Sequence, residues 1–141
     1  MSPQNVELPN PIEKRNILAA RDVPVQTLVD YGNAYLEAEA LDDSYNFFEK
    51  AGHVEGLKRV KQRAIDLGNT AVMLFNIQRS KHIQITNEDW LAAAQNAIKA
   101  GRLTYAAQAY RKLGDIPKLN ELLAQIPGQK LVEPPEAEQK E

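Results

Sequence analysis

The chain contains an internal repeat with a period of 62 residues. Residues 28–60 align without a gap with residues 90–122. The identical pairs include Ala38 with Ala100, Leu41 with Leu103, Lys50 with Lys112, Gly52 with Gly114 and Leu57 with Leu119. The conservative pairs include Val29 with Leu91, Leu36 with Ile98, Phe48 with Tyr110 and Val54 with Ile116. These pairs fall on apolar positions and on helix stops, so we expect both copies to form the same supersecondary structure.

The chain has the composition of α-helices and carries residues that commonly start and stop them. Ala, Leu, Glu, Gln and Lys are abundant, and all are good helix formers. Asn10-Pro11 and the pair Thr86 and Asp89 are helix-start signals, and the glycines of each copy are helix stops. The predicted helices span about residues 11–20, 24–39, 42–51, 53–67, 71–81, 87–100, 103–113 and 116–126. The sequence therefore predicts an all-α fold.

The chain divides into an arm, a body and a tail. Residues 1–21 form the arm and a short helix, residues 22–126 the helical repeat domain, and residues 127–141 a Pro- and Glu-rich tail that we expect to be disordered. The net charge is −2, and the tail accounts for all of it, because the remaining residues carry 15 charges of each sign. A neutral body lacks the basic surface that nucleic-acid binding requires.

At particular residues the two copies resemble tetratricopeptide repeats. The first copy supplies Tyr31-Gly32, Tyr35, Ser44, Phe48 and Ala51, and the second supplies Trp90, Ala106 and Tyr110. The resemblance implies a right-handed α-solenoid of antiparallel helical hairpins, about three hairpins plus a terminal helix. In that family the first helices line a concave surface that binds a partner. A related stack of helical hairpins fits the pattern nearly as well.

The resemblance also indicates candidate binding residues. Asn33 and Glu37 lie one turn apart on the first helix of the first copy, and the 62-residue shift carries them to Gln95 and Lys99. The family geometry implies that all four point into one concave groove, where the amides bond a peptide backbone and the charges select partner side chains. A carboxylate clamp is not expected, because the residues one turn earlier are apolar.

A run of cations provides an alternative. Lys58, Arg59, Lys61 and Arg63 form a basic face around one predicted helix, and such a face could contact RNA or phosphate. A solvated helix face is the simpler interpretation, because the chain is nearly neutral overall and no aromatic residues are interleaved with the run.

No set of residues indicates catalysis. His53 and His82 are 29 residues apart and belong to no metal-binding motif, and Asp42-Asp43 is explained by helix capping and the helix dipole. The chain has no cysteine, no secretory signal and no apolar run that could span a membrane. We therefore expect a cytoplasmic, non-enzymatic module without metal or cofactor, an adaptor or assembly factor that binds another protein or peptide. Nucleic-acid association through the basic face and a small regulatory ligand in the groove are the alternatives.

Overall fold

A computed structural model of the chain describes residues 7–133, and within that range every regular element is helical. The eight α-helices are α1 (Pro11–Ala19), α2 (Val25–Glu37), α3 (Leu41–Ala51), α4 (Val54–Leu67), α5 (Thr70–Phe75), α6 (Asn87–Lys99), α7 (Leu103–Leu113) and α8 (Ile116–Leu123). A short 3-10 helix spans Ile77–Arg79. The predicted all-α class is confirmed. Residues 1–6 of the predicted arm and 134–141 of the predicted tail lie outside the described range.

The 62-residue repeat is visible in the helix boundaries. Shifting α2 by 62 residues gives the bounds of α6, and shifting α3 gives those of α7. Both α3 and α7 end on a left-handed glycine, Gly52 with φ 65° and Gly114 with φ 73°. The loop between the first two helices of each copy also has one left-handed residue, Glu39 with φ 63° and Gly101 with φ 76°. Glu39 therefore takes a backbone conformation that ordinarily favours glycine.

Internal contacts divide the described chain into two units. Unit 1 contains residues 7–64 and 72–85, and unit 2 contains residues 65–71 and 86–133. The first copy of the repeat lies in unit 1, where α2 packs against α3, and the second lies in unit 2, where α6 packs against α7 and α7 against α8.

An aromatic cluster forms the core of unit 1. The Phe47 ring lies 5.3 Å from the Tyr31 ring and 5.5 Å from the Tyr35 ring. On the next position of α3, Phe48 is fully buried, and its ring lies against Gly32 so closely that a Cβ there would be 2.5 Å away. Small residues thus let α2 approach α3 closely.

Unit 2 is built around alanines. Ala93, Ala94 and Ala97 of α6 are fully buried beside Trp90. On α7 the buried residues are Ala106, Ala107, Ala109 and Tyr110, and on α8 they are Leu119, Leu122 and Leu123. Alanine side chains are short, so α6 and α7 can pack at close range.

The helix predicted over residues 71–81 is wrong in its extent. The α-helix ends at Phe75, and Asn76 leaves helical geometry with φ −122° and ψ −68°. The Glu49 carboxylate holds the following segment, accepting hydrogen bonds from the Ser80 hydroxyl at 2.7 Å and the Lys81 amide at 2.8 Å. These contacts cross 31 and 32 residues of sequence, so no local pattern indicates them.

One predicted cap is also corrected. Asp42 and Asp43 lie in the first turn of α3, where they suit the helix dipole, but Ala40 is the N-cap residue. Asp43 instead forms an ion pair with Lys14 of α1. Thr70 does not cap a helix, because its hydroxyl donates into α7. By contrast, both predicted start signals form reciprocal capping boxes, at Asn10 with Glu13 and at Thr86 with Asp89.

The described part of the tail is held by α8. The α8 helix ends at Leu123, three residues before the predicted end, and Pro127 follows. The Asn120 side chain donates to the Val132 carbonyl at 2.8 Å and accepts from the Val132 amide at 2.7 Å. The part of the predicted disordered tail up to Glu133 therefore contacts α8 through Val132, and the disorder of the tail stays a prediction.

Candidate functional site

Two of the predicted sites meet on unit 1. The Arg59 guanidinium, from the predicted basic face, donates a 2.9 Å hydrogen bond to the side-chain oxygen of Asn33, a predicted groove residue. The same guanidinium lies 5.6 Å above the Phe48 ring. Asn33 is half-buried and Glu37 is exposed. This hydrogen bond from Arg59 connects the α4 side chain to α2.

The other cations of the basic face have partners too, apart from Lys58, which is exposed. The Arg63 Nε donates to both carboxylate oxygens of Glu39, at 3.1 and 3.0 Å. The Lys61 ammonium donates to the Gln84 carbonyl at 3.0 Å. A phosphate would have to compete with these contacts, so they do not favour the nucleic-acid alternative, which stays a prediction.

In unit 2 the matching helix presents an exposed face. Gln95 and Lys99, the predicted groove residues of the second copy, are exposed. Leu91 is 41% exposed and Ile98 37% exposed on the same side of α6, because these residues follow one another at intervals of three and four. We call Leu91, Gln95, Ile98 and Lys99 the α6 face.

The equivalent positions of the first copy are more covered. Val29 matches Leu91 and is 8% exposed, while Asn33 and Leu36 are half-buried. The Arg59 side chain of α4 reaches Asn33 of α2, and the Arg63 side chain reaches Glu39, two residues beyond the end of α2. The same helix face therefore occurs in both copies of the repeat, and its residues are more exposed to solvent in the second copy.

The length of the following helix contributes to this difference. The α4 helix has 14 residues, whereas its counterpart α8 has 8. The position of Arg63 corresponds to Gln125, which lies beyond the end of α8 and is exposed. Leu91 and Ile98 match Val29 and Leu36 as conservative apolar pairs in the repeat, so the alignment gave no sign that they are exposed. Pro127 lies four residues beyond Leu123 and is the sequence signal that α8 is shorter than α4.

Both histidines lie close to side chains of α3. The half-buried His53 ring lies 5.4 Å from the Phe48 ring, and the His82 Nε2 is 3.9 Å from a Glu49 oxygen. Among residues 7–133, no three His, Asp or Glu side chains are grouped so as to hold a metal ion. None of the helices described is long and apolar enough to cross a membrane.

Unit 1 has a cavity of about 720 Å³ beside the arm and α1, away from the predicted groove residues. Leu8, Leu18, Lys14 and Tyr35 are among its lining residues. Burial, with a smaller contribution from the Asp43 charge, raises the pKa of the Tyr35 hydroxyl. The polar side chains at this cavity are the neutral Tyr35 hydroxyl, the Lys14–Asp43 ion pair and Arg15.

Comparison of the chain with protein-family models, with curated protein sequences and with solved structures finds no significant match.

Proposed function

We propose that this protein is a non-enzymatic protein–protein interaction module, an adaptor or assembly factor, that binds a segment of a partner protein on the α6 face. The observation that carries the proposal is the exposure of Leu91 and Ile98 next to Gln95 and Lys99, at positions that are more covered in the first copy. Contiguous exposed apolar residues with a polar rim are typical of a surface that a partner covers.

The contacts of the predicted groove residues support the second copy as the binding surface. Asn33 already accepts a hydrogen bond from Arg59. The Gln95 side chain makes no hydrogen bond, and Lys99 no ion pair, with any residue between 7 and 133. An amide and an ammonium in that state are available to a partner's backbone and carboxylates.

The proposal includes the resemblance of the fold to tetratricopeptide repeats. This resemblance is supported by the matching helix bounds of the two copies and by the close contact of Gly32 with Phe48. Both features are expected of stacked helical hairpins, which commonly serve as binding surfaces.

Site-specific crosslinking in native cells tests the proposal. A photo-crosslinking residue in place of Gln95 should capture a defined partner, and Leu91→Gln with Ile98→Gln should abolish the capture. The matched control is Val25→Gln, because Val25 is an apolar residue of α2 that is 60% exposed and lies outside the α6 face. Equal capture by all variants, each with unchanged helical circular dichroism, would contradict the proposal.

A further inference from the structure

We infer that the cavity beside the arm and α1 of unit 1 binds a small amphipathic carboxylate, a molecule with an apolar body and one carboxylate group. The cavity has a volume of about 720 Å³, within the range of about 300–1,000 Å³ that is usual for small-molecule sites. All of its lining residues belong to unit 1, so the site is independent of the α6 face.

Apolar side chains form most of the cavity wall. Leu8 and Pro9 come from the arm, Pro11 begins α1, and Leu18 and Ala19 lie in its last turn. Pro9 and Pro11 each have a fixed φ, so this side of the wall keeps its shape without a ligand. A wall that is already shaped reduces the entropy that binding an apolar body costs.

Two sets of contacts hold the wall in place. The Asn10 amide donates to the Glu13 carboxylate at 3.0 Å, and the Glu13 amide donates to the Asn10 side chain at 2.8 Å, which ties the arm to α1. An ion pair between Lys14 and Asp43 joins α1 to α3. The same ion pair balances the charges of both of its members at the cavity.

Arg15 is the cation that this ion pair leaves unbalanced. Its side chain is exposed, and no hydrogen bond or ion pair joins it to any residue between 7 and 133. The lining therefore carries one net positive charge, and that charge lies where solvent reaches it. A guanidinium can bind a carboxylate through two parallel hydrogen bonds. The arrangement favours a ligand whose carboxylate stays near solvent while its apolar body enters the cavity.

The Tyr35 hydroxyl is a second polar group that can meet a ligand. Tyr35 is 5% exposed, and its hydroxyl makes no hydrogen bond within the described range. No fully buried nitrogen or oxygen of a described side chain lacks a hydrogen bond, so this hydroxyl reaches open space. Because Tyr35 lines the cavity, its hydroxyl can donate to an oxygen of the ligand.

A fluorescence titration of the full chain with anilinonaphthalenesulfonate, an apolar anionic dye, provides the first test. The dye should bind saturably, and decanoate should displace it. Decyltrimethylammonium has the same alkyl chain and the opposite charge, so it should need a concentration at least about threefold higher. Equal displacement by the two alkyl probes would refute the preference for a carboxylate.

Two pairs of variants then locate the site. Arg15→Gln should weaken decanoate binding about three- to fivefold, because it removes one surface charge contact, whereas Arg21→Gln changes an exposed cation outside the lining and should have no effect. Leu18→Gln should weaken the dye and decanoate about three- to tenfold by removing apolar surface. Its control is Ile12→Gln, because Ile12 is 63% exposed on α1 and does not line the cavity.

Leu18 also packs against the aromatic core of unit 1, so circular dichroism is measured for each variant. If Leu18→Gln lowers the helical signal, the comparison of Arg15→Gln with Arg21→Gln decides. Decanoate that does not bind saturably, or that binds the Arg15 and Leu18 variants as tightly as their controls, would overturn the inference.

Discussion

Replacing Gly32 with alanine should destabilise the protein, although alanine is the better helix former. Gly32 lies inside α2, where a change to alanine ordinarily gains about 1 kcal/mol. The new Cβ would stand 2.5 Å from one Phe48 ring carbon and 2.6 Å from another. Overpacking of this kind costs about 1–3 kcal/mol if the neighbour cannot move.

A second close contact limits the movement of the Phe48 ring. Gly56 of α4 approaches the same ring, and a Cβ there would be 2.6 Å from it. Phe48 is also fully buried, with the Arg59 guanidinium above its ring. Because the ring cannot shift far, the overpacking should exceed the gain in helix propensity. We expect a net loss of about 1–2 kcal/mol in the free energy of unfolding.

Urea unfolding followed by circular dichroism measures the change, and the second copy supplies the control. Ala94 occupies the position of Gly32 and is fully buried, so Ala94→Gly should also destabilise, by about 1–2 kcal/mol, through lost helix propensity and a lost methyl group. Phe48→Leu should reduce the cost of Gly32→Ala by about 1 kcal/mol in a double-mutant cycle. A Gly32→Ala variant as stable as the native chain would refute the argument from the fixed ring.

Three further predictions concern other parts of the chain. Gly114→Ala should lower the free energy of unfolding in urea by about 1 kcal/mol, because Gly114 has a φ of 73° and no atom lies within 4 Å of the new Cβ, so backbone strain is the only cost. An unchanged unfolding midpoint would contradict this. Asn120→Ala should speed hydrogen exchange at the Val132 amide and lower the free energy of unfolding by about 1 kcal/mol. Protection of that amide equal to the native chain would mean that other contacts hold the tail. Burial raises the pKa values of Tyr35 and Tyr45, so both remain neutral at a pH where the unfolded chain ionises. Stability should therefore be complete below about pH 10 and fall as the pH rises through the raised values, and Tyr45→Phe should lessen that fall in unfolding measured against pH.

Local signals predicted most helix ends. Asn10 and Thr86 begin helices because each accepts a hydrogen bond from a backbone amide three residues later. Gly52 and Gly114 end helices because each takes a positive φ. Such contacts span a few residues, so the residue types that make them can be recognised in the sequence.

Contacts between distant residues explain what could not be predicted. Arg59 meets Asn33 across 26 residues, and this contact turns two separately predicted sites into one packed surface. Glu49 reaches Ser80 across 31 residues and fixes the segment that the helix pattern assigned to a longer α5. The pattern of residue types gives the apolar side of a helix but not which helix covers it.

The exposure of the α6 face follows from chain geometry as well as from its own residues. Leu91 and Ile98 are as apolar as Val29 and Leu36, and the bounds of α6 match those of α2. The copies differ in the helix that follows, because α8 ends before the position equivalent to Arg63 and Pro127 disfavours continuation. Making Gln95 and Gly101 resemble Asn33 and Glu39 would therefore restore the acceptors but not the arginine donor that meets Glu39.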